Sequence, residues 1–225
     1  MAGSATSTSL PIKGSSERFA VRRIYCVGRN YADHVREIGG DPSREAPFFF
    51  AKPGDAVVQN GGEVPYPPRT GNLHHEVELV VAIGRGGAQI GVADALDHVF
   101  GYAVGNDLTR RDLQAQQRDR GQPWEISKGF DHSAPLTAIH PVSLVGNPPT
   151  ANIWLEVNGA KRQAASLSQM VWSVAEIVAE LSTFFRLEPG DLIFTGTPAG
   201  VGPLKPGDRI RAGIDGFDVL EHRIV

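Results

Sequence analysis

The sequence predicts one β-rich domain of the α+β class, a mixed β-roll or sandwich with a few helices. Its 225 residues, 41% hydrophobic and 21% charged, are enough to form a sizeable core in an ordinary globular protein. The 26 glycines and 16 prolines are scattered along the chain, which indicates many turns. Short strand-like segments follow one another between these turns instead of alternating with long helices, which favours a roll or sandwich over βαβ units.

The first 18 residues are rich in small polar side chains and contain no apolar core of a signal peptide. We therefore expect a flexible N-terminal tail over residues 1–18 and a catalytic domain over residues 19–225. No segment approaches the roughly 20 apolar residues of a membrane helix. The net charge of −3 and the lack of a basic stripe argue against nucleic-acid or membrane partners.

The single cysteine, Cys26, excludes an intrachain disulfide and fits a reducing cytoplasm. Cys26 lies in the apolar segment IYCVG, so we expect a small buried core residue there and not a nucleophile.

Five elements are predicted in the first half of the chain from apolar, strand-forming segments and from glycine and proline breaks. They are a strand over 22–27, a helix over 30–38, and strands over 47–51, 73–84 and 100–107.

The second half predicts a helix over 109–120 with a capping box of Thr109 and Asp112. A hairpin of strands 152–157 and 161–165 is expected around Asn158-Gly159. The strongest helix covers 173–185, where Ser173 and Glu176 form a capping box before an apolar face that includes Phe184 and Phe185. A strand over 192–197 and a last hairpin at Asp215-Gly216 complete the fold.

Glu76 and Glu78 lie in the strand-forming segment LHHEVELVV, two residues apart and so on one face of the strand. Two buried like charges are unfavourable unless a positive charge compensates them. With Asp107 at the end of the next strand, these acids resemble an oxygen-only site for Mg²⁺, Mn²⁺ or Ca²⁺. The alternative is a solvated polar face on an edge strand. His74 shares that face, and an outer or surface position is favoured over a ligand role.

Three further features could carry chemistry. His34 and Glu37 are three residues apart on a short helix, as in a base with its orienting carboxylate or in an ordinary surface pair. Lys128 in WEISKGF either stabilises an anion or extends its amine to water. The loop 196–202 lacks the Gly-Lys-Ser/Thr of a P-loop, so it is either a cradle of backbone N–H groups or a plain turn.

Several long motifs in order together resemble the fumarylacetoacetate hydrolase family. They run from about residue 25 to 208 and read YCVGRNYADHVRE, PFFFAKP, LHHEVELVVAIG, GYAVGNDLTRRDLQ, PWEISKGFD and GDLIFTGTPAGVGPLKPGD. The short single domain is similar to the acylpyruvase-type branch, and within it to bacterial fumarylpyruvate hydrolases. The resemblance implies a β-rich roll, a homodimer and one Mg²⁺ or Mn²⁺ per subunit.

The resemblance also implies residue roles. It assigns Glu76, Glu78 and Asp107 to the metal and His34, Glu37 and Lys128 to catalysis. The expected substrate-binding residues are Arg29, Arg111, Gln114 and Thr197. Arg29, Arg69 and Arg111 are all candidates to bind a second, distal carboxylate.

The implied reaction is hydrolysis of a 2,4-diketo acid such as 3-fumarylpyruvate to fumarate and pyruvate. His34, oriented by Glu37, would take a proton from water, and the hydroxide would attack the C4 carbonyl. Lys128, or N–H groups near Thr197, would stabilise the oxyanion. Rival substrates are maleylpyruvate, acetylpyruvate and homoprotocatechuate-pathway intermediates. Rival activities are decarboxylation or tautomerisation of oxaloacetate and isomerisation of related oxo acids, and a non-catalytic protein with a structural metal is the remaining alternative.

Overall fold

A computed structural model describes residues 8–37, 46–147 and 150–225. These residues form eighteen strands and five α-helices, joined by short 3₁₀ turns. The strands are β1 (Ser9–Pro11), β2 (Arg18–Ala20), β3 (Ile24–Gly28), β4 (Phe48–Lys52), β5 (Val57–Gln59), β6 (Glu63–Val64), β7 (Leu73–His75), β8 (Val77–Ile83), β9 (Val99–Asn106), β10 (Thr109–Arg110), β11 (Ala134–Leu136), β12 (His140–Pro141), β13 (Asn152–Val157), β14 (Ala160–Ser166), β15 (Leu192–Phe194), β16 (Gly202–Leu204), β17 (Arg209–Ile214) and β18 (Leu220–Ile224). The helices are α1 (Ala32–Glu37), α2 (Arg111–Asp119), α3 (Glu125–Lys128), α4 (Val142–Val145) and α5 (Val174–Phe184).

A large mixed sheet lies at the centre in the order β4-β3-β15-β8-β9-β11-β5, with β12 paired to β9. A five-stranded sheet, β14-β13-β17-β18-β6, and a three-stranded one, β10-β7-β16, complete the roll together with the β1–β2 pair. This arrangement confirms the predicted β-rich α+β fold. Every residue of β8 is buried, which explains why its sequence is almost continuously apolar.

Alternate residues of β8 face two hydrophobic cores. Val77, Leu79, Val81 and Ile83 pack in one core with the five-stranded sheet and α5. On the opposite face of β8, Val80 and Ala82 pack in a second core. This core also contains Cys26, Leu10 and Phe19. Cys26 is buried and free, as predicted.

The prediction of a flexible tail over residues 1–18 is wrong for residues 8–18, which the structure describes. Ser9–Pro11 pairs antiparallel with Arg18–Ala20, and Leu10 is completely buried. A short apolar segment inside a polar region thus forms a strand because it covers one end of the second core. Residues 1–7 lie outside the described residues.

Three local predictions are wrong, each for an identifiable reason. The predicted strand 73–84 is two strands, because the chain leaves the small sheet after His75 and enters the large one at Val77. The capping box of Thr109 and Asp112 does not form, because the Thr109 hydroxyl donates to the Asp107 carbonyl and Asp112 accepts from the Thr70 hydroxyl and the Gly71 N–H.

The third error concerns the end of α5. Its capping box of Ser173 and Glu176 is present, as predicted. Phe184 and Phe185, however, are 63% and 42% exposed, because they lie beyond Leu181, the last apolar core residue of the helix, and pack against Phe49 and Tyr25 from the outside.

The remaining elements agree with prediction within a few residues, including the Asn152–Val157 hairpin. The predicted helix 30–38 corresponds to α1, and its last residue lies outside the described part. None of the described helices combines the length and apolar character needed to cross a membrane.

Candidate metal centre and active site

Three buried carboxylates meet where the small and large sheets join. Glu76 fills the gap between β7 and β8, Glu78 lies in β8, and Asp107 directly follows β9. One oxygen from each lies within 4.8 Å of the others, and each residue is at least 96% buried. The acids that the sequence places on two neighbouring strands are therefore brought to one point.

The strand break at Glu76 is held by side-chain amides. The backbone N–H of Glu76 donates to Asn106 Oδ1 at 2.8 Å, and that of Val77 donates to Gln163 Oε1 at 3.1 Å. The N–H of Asp107 donates to the Glu76 carbonyl at 2.8 Å. The backbone thus changes sheets without leaving these buried groups unpaired, which fixes the directions of Glu76 and Asp107.

Two lysines and one arginine surround the acids. Lys128 Nζ donates to Glu76 Oε2 at 2.7 Å and to Asp107 Oδ2 at 2.6 Å. Lys52 Nζ lies 2.8 Å from Asp107 Oδ1, and Arg111 pairs with Glu76. The sequence analysis did not single out Lys52. Its position at the end of the apolar segment PFFFA was the available signal, since a buried lysine needs a carboxylate partner.

Of the three carboxylates, Glu78 has the fewest positively charged partners among the described residues. In the described residues its carboxylate accepts one hydrogen bond, from the Gly196 N–H at 2.7 Å. Gly196 has φ +99, and a Cβ there would lie 2.6 Å from Cβ of Asn30, so only glycine lets the loop come this close.

The pKa values follow this charge distribution. Burial, with the nearby Asp107 and Glu76 carboxylates, raises the pKa of Glu78 well above its usual value. Burial also opposes ionisation of Glu76, yet the charges of Lys128 and Arg111 outweigh it and lower the pKa of that carboxyl.

The donor set fits a hard divalent cation. All three ligands are carboxylates, and further positive charge is needed to keep Glu78 ionised. Asp107 Oδ1 is buried without a hydrogen bond of acceptable geometry, although Lys52 lies near it. An oxygen in that state is available to a cation. Mg²⁺ and Mn²⁺ both match this all-oxygen set.

His34 and Glu37 form the predicted pair. His34 Nδ1 lies 3.2 Å from Glu37 Oε2, and the imidazole is buried. Both Glu37 oxygens also accept from the Gly200 N–H, at 3.0 and 3.1 Å. The glycine-rich loop therefore binds Glu78 at Gly196 and Glu37 at Gly200, which links the acid cluster to the dyad.

Gln163 is a second link that the sequence analysis missed. Its amide nitrogen donates to the Thr197 hydroxyl and to the Pro198 carbonyl, both at 2.8 Å. Its oxygen accepts from the Val77 N–H and lies 2.9 Å from His75 Nδ1. A buried glutamine in an otherwise exposed strand shows no distinctive pattern in a sequence.

These groups surround a cavity of about 490 Å³. Its lining comprises Val27, Gly28, Arg29, His34, Phe48, Phe50, Glu76, Glu78, Asp107, Arg111, Gln114, Ala115, Arg118, Trp124, Lys128 and Thr197. The cavity brings together every predicted site residue except Glu37, which lies behind His34. Arg69 is not part of the lining, while Arg118 is an addition.

Arg111 contacts Glu76 from outside the acid cluster and also contacts His74. The Arg111 guanidinium donates to Glu76, to Gln114 Oε1 and, at 3.3 Å, to His74 Nδ1. Burial first, and then the Arg111 charge, lowers the pKa of His74 to about 4, so the imidazole is a neutral acceptor. The favoured outer position for His74 agrees with this geometry.

Comparison with known proteins places the chain in a family. Residues 23–225 match the family model described as fumarylacetoacetate (FAA) hydrolase, C-terminal. The crystal structure of fumarylpyruvate hydrolase from Pseudomonas aeruginosa in complex with Mn²⁺ and pyruvate is 56% identical, with a TM-score of 0.95, and the match covers 97% of this chain and 96% of that one. The mitochondrial oxaloacetate tautomerase of Mus musculus is 46% identical over 203 residues, 90% of this chain and 91% of its own. The chain therefore belongs to the fumarylacetoacetate hydrolase family.

Proposed function

We propose that this protein is a metal-dependent hydrolase that cleaves a carbon–carbon bond of a 2,4-diketo acid, with 3-fumarylpyruvate as the first substrate to test. The observation that carries the proposal is one cavity lined by both a three-carboxylate centre and an oriented imidazole. Three carboxylates leave coordination positions for water and substrate oxygens, which a structural metal site does not need. The similarity to the Pseudomonas aeruginosa hydrolase supports this choice of substrate.

His34 is the general base in this proposal. Its Nδ1 faces a carboxylate, which only accepts hydrogen bonds, so Nδ1 carries the proton and Nε2 keeps its lone pair. Nε2 takes a proton from water, and the water oxygen bonds to C4 of the substrate. The C4 carbonyl oxygen takes up the negative charge. As that carbonyl re-forms, the C3–C4 bond breaks, its electron pair goes to C3, fumarate leaves, and the pyruvate enolate takes up at C3 the proton that His34 holds.

Lys128 is the candidate to stabilise negative charge on the substrate. Two of its three ammonium protons are directed to Glu76 and Asp107, which leaves one donor for an oxygen in the cavity. Glu76, Glu78 and Asp107 would hold a Mg²⁺ or Mn²⁺ ion, which supplies a Lewis acid for the 2-oxo acid end of the substrate. The Thr197 hydroxyl donates to the Val77 carbonyl, so it positions the loop and does not itself donate to substrate.

A second candidate is tautomerisation of oxaloacetate, favoured by the 46% identity to the mouse tautomerase. Both activities pass through the enolate of a 2-oxo acid, which the site would have to stabilise. They differ in whether water attacks a carbonyl at C4, because oxaloacetate carries a carboxylate there.

The test compares both reactions on one Mn²⁺-loaded preparation. Cleavage of 3-fumarylpyruvate is followed by pyruvate release, and the enol-to-keto conversion of oxaloacetate by loss of enol absorbance. We expect a higher kcat/KM for cleavage. Conversion of oxaloacetate without cleavage of any acylpyruvate would establish the tautomerase instead.

The homodimer and the cytoplasmic location stay predictions.

A further inference from the structure

Two arginines at the cavity mouth are not engaged by the acid cluster. Arg29 and Arg118 line the cavity and are exposed, whereas the carboxylates beneath them are buried. Across the described ranges, Arg29 makes no ion pair, and Arg118 pairs with its exposed neighbour Asp119 at 3.2 Å. Arg111, in contrast, is committed to Glu76.

The distance from the acid cluster to the cavity mouth follows from the residues of α2 that line the cavity. Residues 111, 114, 115 and 118 all line the cavity, which is the spacing of one helix face. With a rise of 1.5 Å per residue, Arg118 lies roughly 10 Å beyond Arg111 along the helix axis. Arg111 therefore marks the inner end of the cavity and Arg118 the outer end.

Aromatic rings form one wall of the cavity. Phe48 packs against Trp124 edge-to-face, with centroids 5.1 Å apart, and Phe50 lies 5.8 Å from Trp124. The Arg29 guanidinium lies over the Phe48 ring, 5.7 Å from its centroid. Arg29 has φ +62, a conformation that costs a non-glycine residue energy and that clusters at functional sites. In this conformation the Arg29 side chain lines the cavity.

The dimensions match a chain with a carboxylate at each end. In a seven-carbon 2-oxo diacid the two carboxyl carbons are roughly 7–8 Å apart when extended, from carbon–carbon bonds of about 1.5 Å. If the 2-oxo acid end lies at the acid cluster, the other carboxylate reaches the mouth. A four-carbon diacid such as oxaloacetate is too short to do so.

We propose that Arg29 and Arg118 form a distal-carboxylate subsite that selects 2-oxo acids whose far end also carries a carboxylate. The proposal rests on the proposed function, because it takes the 2-oxo acid end to lie at Glu76, Glu78 and Asp107. Neither Arg111, which is paired with Glu76, nor Arg69, which lies outside the cavity lining, meets these conditions.

The test uses ligands that cannot be cleaved. The pair 2-oxoheptanedioate and 2-oxoheptanoate has equal length, lacks a C4 carbonyl and differs only in the terminal carboxylate. Their affinities for Mn²⁺-loaded protein are measured by calorimetry for the wild type, Arg29→Met and Arg118→Met. Arg120→Met is the matched control, since Arg120 is exposed next to the end of α2 but does not line the cavity.

We expect the wild type to bind the diacid about tenfold to a hundredfold more tightly than the monoacid, which is about the contribution of one charge-assisted hydrogen bond. Each of the two mouth variants should reduce this ratio at least several-fold, and Arg120→Met should keep it. A ratio near one in the wild type, or an unchanged ratio in both mouth variants, overturns the subsite.

Hydrolysis is measured separately on the same proteins, as the ratio of kcat/KM for 3-fumarylpyruvate and acetylpyruvate. If the wild type cleaves neither compound but shows the arginine-dependent diacid preference, the hydrolase proposal fails and the subsite stands. If it cleaves both and neither arginine affects the ratio in binding or turnover, the subsite fails and the hydrolase stands.

Discussion

Gln163 donates a hydrogen bond of 2.8 Å to the hydroxyl of Thr197 and so joins the β13–β14 hairpin to the glycine-rich loop. The same amide accepts from the N–H of Val77, the residue between the two glutamates of the acid cluster. One buried side chain thus positions both the strand that carries the carboxylates and the loop that contacts Glu78 and Glu37.

Replacing Gln163 by leucine should weaken both the fold and the metal centre. Each buried polar group left without a partner costs about 1–3 kcal/mol, so the free energy of unfolding should fall by at least that amount. Mn²⁺ affinity should fall too, because Val77 loses its anchor between Glu76 and Glu78. Urea unfolding and calorimetry measure the two effects. Gln59→Leu, at an exposed amide, is the control, and unchanged Mn²⁺ affinity in Gln163→Leu would limit Gln163 to a role in folding.

The two glutamates should respond oppositely to the same isosteric change in metal-stripped protein. Glu76→Gln removes the charge that Lys128 and Arg111 face, and breaking a buried pair costs about 3–5 kcal/mol. Glu78→Gln resembles the protonated carboxyl that the raised pKa of Glu78 favours, and it keeps an acceptor for the Gly196 N–H, so its melting temperature should be unchanged or higher. Both variants should bind Mn²⁺ more weakly than the wild type. Equal destabilisation by the two changes would contradict this charge distribution.

Loss of the imidazole should separate catalysis from metal binding. His34→Ala is expected to lower kcat for acylpyruvate cleavage by about 10²–10⁴-fold, the usual contribution of a general base. Mn²⁺ affinity should stay within a few-fold, because His34 is not one of the three carboxylate ligands. Glu37→Gln, which keeps a hydrogen-bond acceptor but no charge, should lower kcat less. A His34→Ala enzyme with wild-type kcat would refute the dyad.

His222 should make the free energy of unfolding decrease as the pH falls below neutral. Burial, with the nearby His75 charge, lowers the pKa of His222 to about 3, while the unfolded chain has the ordinary value near 6.5. Between these values the unfolded state binds the extra proton, so the stability present above pH 6.5 is lost as pH falls, by up to about 1.4 kcal/mol per pH unit.

The measurement is urea unfolding of metal-stripped protein between pH 4 and 7. His222→Gln keeps an acceptor for the Asn106 amide but does not titrate, so its stability should depend less steeply on pH than that of the wild type. Parallel curves for the two proteins would show that His222 takes up its proton equally in the folded and unfolded states, which contradicts its lowered pKa.

The sequence predicted the acid cluster and most elements, because Glu78 lies in a buried strand and Glu76 and Asp107 adjoin the ends of the two paired strands β8 and β9. Capping chemistry also predicted the start of α5, since Ser173 and Glu176 satisfy each other locally. The resemblance identified His34 and Glu37 from a pair that alone is indistinguishable from a surface contact.

Contacts between residues far apart in the chain could not be predicted from the sequence. The break after His75 depends on amides from Asn106 and Gln163, which are 30 and 86 residues away from the groups they bind. Lys52 and Lys128 meet at Asp107 only because β4 and α3 pack side by side. Arg118 reaches the cavity through the direction of α2, which its sequence alone does not fix.

The most direct test of the proposed hydrolase activity mixes metal-stripped protein with 3-fumarylpyruvate, with and without Mn²⁺ or Mg²⁺, and follows the diketo-acid enol absorbance. Pyruvate and fumarate are quantified at the end. We expect metal-dependent loss of absorbance with the two products in equal amounts. Intact substrate in the presence of tightly bound Mn²⁺ would contradict it.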